Sequence, residues 1–228
     1  MSRCLIIVAK APVAGISKTR LSAGVGTERA VEISRCFLED AVALSRQITG
    51  CQTAFSFWPV ESAPYFVALH PAALLLPQRG ESFGARLHDA VVQAAGYGYD
   101  EIALLAGDAP GLSAQIIEAA FSSLADSPAV IGPAEDGGYY LLGMREPQPT
   151  LFHPGIAWGT HTVAAQTCAA AEAVGLAMAT LPMWYDVDTA ADLARLHADL
   201  RASRAHAPAT YAALERLQVA GCRLQIVD

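Results

Sequence analysis

Three cationic side chains lie close together in the segment 10–21, which is part of a loop that we predict over residues 10–23. Lys10, Lys18 and Arg20 fall within eleven residues around Gly15, directly after the continuously apolar segment 4–9. A loop of this kind can turn backbone N–H groups and cationic side chains toward a polyphosphate. It lacks the spacing of a Walker A loop, and a solvated basic turn is the alternative. Because the loop follows an apolar strand in an otherwise acidic protein, we favour phosphate binding.

A single carboxylate follows a second apolar segment, 101–106. Asp108 stands between Gly107 and Pro110, at the point where the predicted strand ends. A carboxylate in this position is suited to bind Mg²⁺ beside phosphate groups. The alternative is that Asp108 only caps the next helix, but Ser113 is expected to supply that cap.

A pair of alternating carboxylates occurs near the C-terminal end of the sequence. Asp186 and Asp188 point to the same side of an extended segment. Thr189 with Asp192 has the spacing of a helix entry, which leaves Asp186 and Asp188 without a structural role. Carboxylates combined with a basic loop are typical of metal-assisted chemistry at phosphates.

Other motifs carry weaker signals. Asp136-Gly137-Gly138 is typical of a hairpin turn, and the Trp of Trp158-Gly159-Thr160 is more often a packing residue than a ligand contact. The six histidines lack zinc-ligand spacing, and the GxSxG motif of a serine nucleophile is absent. Five cysteines without a CxxC pair indicate reduced thiols.

Composition limits the class of protein. The 228 residues carry 15 Lys+Arg and 22 Asp+Glu, for a net charge of −7, and 53% of them are hydrophobic. This excludes a disordered chain and argues against a general nucleic-acid binder. We find neither a targeting segment nor a membrane span, and we expect a soluble, cytoplasmic protein with one domain over residues 1–228.

The elements that must position these residues alternate between strand and helix. Strands are predicted at 4–9, 53–58, 74–76, 101–106, 129–131, 140–142 and 222–227. Helices are predicted at 27–45 with Thr27 as its cap, at 83–95, from Ser113 to 124, at 189–202, and from Pro208. This order favours an α/β fold with a mostly parallel sheet, whose ligands bind beyond the carboxyl ends of the strands.

Five motifs in this order resemble a bacterial family of glycosyltransferase-like proteins of unknown reaction. They are KxPxxGxxKTRL (10–21), GDxPGL (107–112), PxxDGGYYLxG (133–143), WGT (158–160) and DVDTxxDL (186–193). The resemblance implies the GT-A, or nucleotide-diphospho-sugar transferase, fold: one three-layer αβα domain with a mostly parallel central sheet. The loop 10–20 is similar to that of 2-phospholactate guanylyltransferases. The segment 186–189 is similar to a metal-binding motif of the molybdenum-cofactor guanylyltransferases.

The resemblance also implies roles for individual residues. Catalysis would fall to Lys18, Arg20 and Asp108, and Mg²⁺ or Mn²⁺ would be held by Asp108, Asp186 and Asp188. The expected nucleotide-binding residues are Lys10, Pro12, Gly15, Lys18, Thr19, Arg20, Arg86 and Gly107. The expected acceptor-binding residues are Asp136, Gly137, Gly138, Tyr139, Trp158 and Thr160.

The resulting hypothesis is a metal-dependent transferase that uses an activated nucleotide. The sequence Asp108-Ala-Pro110 lacks the second acidic residue of a glycosyltransferase Asp-x-Asp motif. We therefore favour nucleotidyl transfer to a small acceptor that carries a phosphate or carboxylate. A glycosyltransferase with a nucleotide-diphospho-sugar donor, a non-catalytic nucleotide-sensing module and a purely structural partner protein remain alternatives. The nucleotide base, the sugar, the acceptor and the oligomeric state stay open, with no nucleic-acid or membrane partner expected.

Overall fold

A seven-stranded sheet organises the part of the chain that the structure describes. The computed structural model describes residues 2–219, so the predicted strand 222–227 lies outside the described residues. The strands are, in chain order, β1 (Arg3–Lys10), β2 (Cys51–Trp58), β3 (Leu74–Pro77), β4 (Glu101–Ala106), β5 (Ala129–Pro133), β6 (Tyr139–Met144) and β7 (Met178–Thr180).

The sheet is mostly parallel, as the alternation of elements predicts. Its strand order is β3-β2-β1-β4-β6-β5-β7. Strand β6 runs antiparallel to both of its neighbours, β4 and β5, and every other pair of neighbours is parallel. A short turn at 134–138 joins β5 to β6, and a connection of that length allows only antiparallel pairing. Because β1 and β4 are neighbouring parallel strands, their carboxyl ends lie side by side.

Helices cover both faces of this sheet. They are α1 (Thr19–Val25), α2 (Thr27–Ser45), α3 (Ala63–Leu69), α4 (Phe83–Gly96), α5 (Ala114–Ser123), α6 (Val163–Ala173), α7 (Ala190–Ser203) and α8 (Pro208–Val219). One apolar core packs α2, α3 and α5 against one face of the sheet. A second core packs α4 and α6 against the other face, which completes the three αβα layers.

A third apolar cluster joins the elements that carry the site. Leu21 of α1, Phe37 of α2, Val187 and Leu193 are buried together, and α8 contributes Leu214. Buried Asp40 of α2 accepts hydrogen bonds from the backbone N–H groups of Ala209 and Thr210, both at 2.9 Å. These contacts hold the first turn of α8 against α2.

Several predicted elements need correction. Helix α1 begins at Thr19, inside the segment predicted to be a loop. Thr27 does not cap α2: the N-cap is Gly26, and Thr27 is the first helical residue. Ser113 does stand at the N-cap of α5, but its side chain makes no capping hydrogen bond. Helices α3 and α6 and strand β7 were not predicted, because short or alanine-rich segments lack a clear apolar period.

None of the helices within residues 2–219 is long and apolar enough to cross a membrane.

Candidate active site

A cavity of about 670 Å³ opens where β1 and β4 end. This volume lies in the range typical of small-molecule and cofactor sites. Ten of the residues selected from the sequence line it: Lys10, Lys18, Thr19, Arg20, Arg86, Gly107, Asp108, Tyr139, Trp158 and Asp188. The strand-end position matches the general location of ligands in open α/β sheets.

Lys18 bridges two carboxylates from distant parts of the chain. Its ammonium nitrogen Nζ lies 2.9 Å from Asp108 Oδ2 and 2.7 Å from Asp188 Oδ1. Only 7% of the Lys18 side chain is exposed, whereas the two carboxylates are about half exposed or less, at 48% and 37%. The same nitrogen lies 5.8 Å from the centre of the Phe37 ring, on the side of helix α2. The ammonium group of Lys18 is therefore already paired with two carboxylates and is not free to bind phosphate in this arrangement.

The bridge sets the charge state of its members. Burial acts to lower the pKa of Lys18, but the charges of Asp108 and Asp188 outweigh it and raise that pKa above its ordinary value. In return, the Lys18 charge holds the pKa of Asp108 below its ordinary range. Both groups are consequently ionised at neutral pH, which stabilises a buried pair of this kind only while both partners are present.

Lys18 reaches this position through an unusual backbone conformation. Its φ of 47° and ψ of 47° place it in the left-handed region, the only non-glycine residue of segment 2–219 with a positive φ. Such a conformation costs a lysine about 1–3 kcal/mol and persists where surrounding contacts enforce it. Here the enforcing contacts are the two carboxylates and the start of α1, whose N-cap is Lys18.

Gly107 lies where the strands leave no room for a side chain. Its N–H donates to the Val8 carbonyl oxygen at 3.0 Å and so extends the pairing of β4 with β1. A Cβ at position 107 would lie 2.8 Å from that oxygen and would also press on Leu38. Glycine therefore lets β4 continue to Asp108 and place its carboxylate at the cavity.

The segment before α7 holds the second group of carboxylates. Val187 is fully buried, so its neighbours Asp186 and Asp188 point away from that core. Thr189 and Asp192 form the predicted capping box, with Asp192 N–H donating to Thr189 Oγ1 at 3.2 Å and Thr189 N–H donating to Asp192 Oδ2 at 2.8 Å. This cap fixes the backbone directly after Asp188.

Asp186 is the carboxylate left without a partner. Its Oδ1 is buried and has no hydrogen-bond partner within the described part of the chain. Burial, followed by the charges of Asp108 and Asp136, raises the pKa of Asp186 to about 7. Asp186 does not line the cavity, but it is close enough to Asp108, Asp188 and Lys18 to feel their charges.

These carboxylates can be tested for their fit to a divalent ion. No three Asp, Glu, His or Cys side chains of residues 2–219 form a ready-made metal cluster. Asp108, Asp186 and Asp188 nevertheless supply only oxygen donors, the ligands that Mg²⁺ prefers, and Asp186 carries an unpartnered oxygen. The three residues fit a divalent ion on condition that Lys18 releases Asp108 and Asp188.

The remaining cations differ in how they are held. Arg20 is 76% exposed at its side chain and approaches Asp188 Oδ2 through Nη1 at 3.5 Å. Lys10 is exposed at the end of β1. Arg86, on the first turn of α4, donates from Nε to the Gly80 carbonyl oxygen at 3.2 Å and has no carboxylate partner among residues 2–219.

An aromatic wall closes the α4 side of the cavity. Trp158 meets Phe83 edge-on, with ring centres 5.7 Å apart, and meets Tyr139 edge-on at 6.5 Å. Gly84 lets the indole approach α4, because a Cβ there would lie 2.5 Å from Trp158 Nε1. Trp158 thus lines the cavity, and no local sequence pattern indicates that Phe83 and Gly84 accompany it.

Besides Asp186, six selected residues do not reach the cavity: Pro12, Gly15, Asp136, Gly137, Gly138 and Thr160. Asp136-Gly137-Gly138 forms the β5–β6 turn, in which Asp136 Oδ1 accepts the Gly138 N–H at 2.8 Å. A Cβ at Gly137 would overlap the His161 carbonyl, so this glycine serves close packing. Thr160 Oγ1 donates to the Ala157 carbonyl oxygen at 2.7 Å, a local turn contact.

Other cavity residues escaped sequence reasoning. Ser17, Ser34, Phe37, Gln78 and Phe83 all line the cavity. The Oγ atoms of Ser17 and Ser34 are buried without a hydrogen-bond partner in the described segment. Ser17 sits inside the recognised loop motif and could have been selected from it. Ser34 and Gln78 carry no local signal, since only the packing of α2 on the sheet and the pairing of β3 with β2 bring them in.

Comparison with solved structures supports the predicted fold. A protein from Desulfovibrio desulfuricans G20, provisionally assigned as a nucleotide-diphospho-sugar transferase, superposes with a TM-score of 0.89 at 31% identity, covering 96% of both chains. A 4-diphosphocytidyl-2C-methyl-D-erythritol synthase from Anaerococcus prevotii DSM 20548 superposes with a TM-score of 0.60 at 10% identity, covering 88% of this chain and 96% of the other. The chain has the nucleotide-diphospho-sugar transferase fold implied by its motifs.

Comparison with curated proteins and with protein families shows which family this chain belongs to. The phosphoenolpyruvate guanylyltransferase of Chloroflexus aggregans (strain MD-66 / DSM 9485) is 28% identical over 155 residues, which cover 66% of this chain and 77% of that protein. Residues 44–160, just over half of the chain, match a family described as "Uncharacterized protein conserved in bacteria" (DUF2064). The matched range contains Arg86, Asp108, Tyr139 and Trp158. The chain therefore belongs to the DUF2064 family of bacterial proteins.

Proposed function

We propose that this protein is a metal-dependent transferase that takes an activated nucleotide and transfers its nucleotidyl group to a small acceptor. One observation carries the proposal: the cavity at the ends of β1 and β4 brings Lys18, Asp108 and Asp188 into direct contact. Ammonium and carboxylate groups at a strand-end cavity are the groups that bind phosphates and their counter-ion.

Each group has a role in this proposal. Asp108, Asp188 and Asp186 would hold Mg²⁺ or Mn²⁺, which supplies positive charge to the phosphate oxygens. Phosphate oxygens compete with the two carboxylates for the Lys18 ammonium, so nucleotide and metal ion are expected to bind together. Arg20, which is exposed and lines the cavity, would neutralise negative charge on the leaving group.

Two observations bear on the type of transfer. The similar guanylyltransferase from Chloroflexus aggregans favours nucleotidyl transfer, and so does the absence of a second acidic residue at position 110. The similar structure from Desulfovibrio desulfuricans favours a nucleotide-sugar donor, which makes glycosyl transfer the second candidate.

A binding experiment tests the shared part of the proposal. Calorimetry should detect nucleoside triphosphate binding that requires Mg²⁺ or Mn²⁺, and Asp108→Asn should abolish this metal-dependent binding. Lys18→Ala should weaken binding about ten- to a hundredfold, because a charge-assisted hydrogen bond to phosphate is lost. Asp126→Asn and Arg79→Ala are the matched controls, since both side chains are exposed and lie outside the cavity.

Product analysis separates the two reactions. Nucleotidyl transfer from a triphosphate releases pyrophosphate, whereas glycosyl transfer releases a nucleoside diphosphate. Release of pyrophosphate that depends on an added acceptor would support the preferred reaction. Acceptor-dependent release of a nucleoside diphosphate from a nucleotide sugar would reverse the order of the two candidates. Nucleotide binding without turnover of either donor would identify a sensing module instead.

A further inference from the structure

Cations of the protein itself already contact the carboxylates that are expected to hold a divalent ion. Lys18 Nζ contacts one oxygen of Asp108 and one of Asp188, and Arg20 Nη1 lies 3.5 Å from the other oxygen of Asp188. Three of the four carboxylate oxygens of Asp108 and Asp188 are thus in contact with a cation. A divalent ion bound to the same oxygens would lie close to the Lys18 ammonium group, and repulsion between neighbouring cations is strong in a partly buried site.

The segments that carry these two carboxylates are tied to each other and to the fold. Trp184 Nε1 donates to the carbonyl oxygen of Pro110 at 3.3 Å, which joins the loop after β4 to the segment before α7. The Asp188 N–H donates to Asp192 Oδ2 at 3.1 Å, next to the capping box of α7. The backbone on which Asp108 and Asp188 stand is therefore held from both directions, so that the carboxylates stay close together.

The Lys18 side chain is the part of this bridge that can rearrange. Its ammonium group stands on a flexible four-carbon stem. The loop before it is closed on itself, since the Ile16 and Ser17 N–H groups donate to the Val13 carbonyl oxygen at 3.1 and 3.3 Å. The carboxylates also help to hold Lys18 in its left-handed conformation, which is unfavourable for a lysine. Release of the carboxylates therefore requires movement of Lys18 and not of Asp108 or Asp188.

We propose that the bridge of Lys18 with Asp108 and Asp188 is a latch, which excludes a divalent ion from these carboxylates until the phosphates of a nucleotide draw the ammonium group away. A metal ion alone offers the displaced ammonium no partner and would leave it next to a second cation, whereas phosphate oxygens replace the carboxylates as its partners. The inference rests on the proposed function, because it takes the same carboxylates as metal ligands. It adds an order of binding, in which the nucleotide engages Lys18 before the metal ion is held.

Titration with Mn²⁺ alone, followed by electron paramagnetic resonance, tests the exclusion of the metal ion. Lys18→Met removes the ammonium group and keeps an apolar stem beside Phe37. Without nucleotide, this variant should bind Mn²⁺ about ten- to a hundredfold more tightly than the parent, because the ion no longer displaces charge-assisted hydrogen bonds. Asp108→Asn, added to Lys18→Met, should remove the gain. Arg79→Ala is the control, since it removes an exposed cation outside the cavity and should bind Mn²⁺ as the parent does.

Nuclear magnetic resonance of the parent protein tests the release of Lys18 and does not depend on the folding of a variant. Lys10 and Lys18 are the two lysines of the chain, so protein labelled with ¹³C-lysine gives two Cε signals, which Lys10→Arg assigns. Mg²⁺ alone should leave the Lys18 signal in place. A nucleoside triphosphate should shift that signal, and subsequent addition of Mg²⁺ should tighten nucleotide binding.

The possible failures are distinguishable. If the parent binds Mn²⁺ alone as tightly as Lys18→Met does, or if its Lys18 signal stays in place while nucleotide and metal ion are both bound, the inference is overturned and the proposed function stands. A shift of the Lys18 signal by Mg²⁺ alone overturns the inference as well. If Lys18→Met gains a Mn²⁺ site that Asp108→Asn removes, but the parent binds no nucleotide with any metal ion, exclusion of the ion by Lys18 is supported and the proposed function fails.

Discussion

At the scale of single residues, Lys18 defines the site. A lysine in the left-handed region is strained, and its burial is costly unless the charge is compensated. Asp108 and Asp188 provide that compensation at 2.9 and 2.7 Å. The same contacts make Lys18 a competitor of any metal ion for these carboxylates. Under the proposed function, binding of nucleotide and metal ion would therefore have to rearrange this bridge.

Asp186 predicts a pH dependence of stability. Its pKa is about 7 in the folded protein against an ordinary value of 3.8, so between these values the folded state holds more protons than the unfolded state. The free energy of unfolding therefore falls as pH rises through this window, by at most about 1.4 kcal/mol per pH unit for one group. Above the folded pKa the contribution of Asp186 to this slope disappears.

Urea denaturation in the presence of a chelator measures this effect. Asp186→Asn should be more stable than the parent near neutral pH, and the difference between the two should shrink toward acid pH. Asp126→Asn, at an exposed turn, serves as the control and should follow the parent at every pH. A parent and Asp186→Asn variant that differ by the same free energy throughout would contradict the raised pKa.

At the scale of elements, helix α4 shapes one side of the cavity. Its N-cap Ser82 accepts the Ala85 N–H at 3.1 Å, which fixes the first turn that carries Phe83, Gly84 and Arg86. Gly84 allows this turn to contact the Trp158 indole directly. The position of the aromatic wall thus depends on the absence of a side chain at position 84.

Two glycines of α4 allow a matched experiment. Gly84→Ala should displace Trp158 and destabilise the protein by about 1–3 kcal/mol, because overlap in a packed contact outweighs the gain in helix propensity. Gly96→Ala makes the same chemical change at the other end of the helix, where no atom lies within 4 Å of the new Cβ. Thermal denaturation compares them, and equal stabilities would show that the Trp158 contact is not tight.

At the scale of the whole molecule, the sheet assembles the site from remote segments. Lys18 meets Asp108 across 90 positions of the sequence and Asp188 across 170. The strand order places β4 beside β1, and the core of Leu21, Phe37 and Val187 joins α1, α2 and the segment before α7. A ligand that binds all of these groups stabilises the whole fold against unfolding.

Ligand binding should therefore raise the melting temperature. At a ligand concentration of about 100 Kd the folded state gains about 2.7 kcal/mol, which corresponds to roughly 5–10 °C for a chain of this size. Differential scanning fluorimetry with a nucleoside triphosphate and Mn²⁺ should show this shift for the parent and not for Asp108→Asn. A shift that Asp108→Asn retains would place the nucleotide elsewhere.

Much of this protein could be predicted from local sequence. Continuous apolar runs identified β1 and β4, and the spacing of Thr189 and Asp192 identified the entry to α7, because these signals act within one element. The cations of the first loop and the strand-end Asp108 are predicted site residues and do line the cavity, whereas Gly15 of the same loop does not. Their roles in binding and catalysis stay predictions.

The tertiary structure decided how these residues meet. No local pattern places Lys18 between Asp108 and Asp188, because that contact requires parallel pairing of β1 with β4 and the packing of α1 against α7. The same holds for Ser34 and Gln78, which reach the cavity only through their elements. Conversely, Asp136 and Thr160 belong to recognisable motifs, yet their side chains complete local turns. Short-range hydrogen bonding and apolar periodicity can be read from the chain, whereas contacts between remote segments depend on which strands become neighbours.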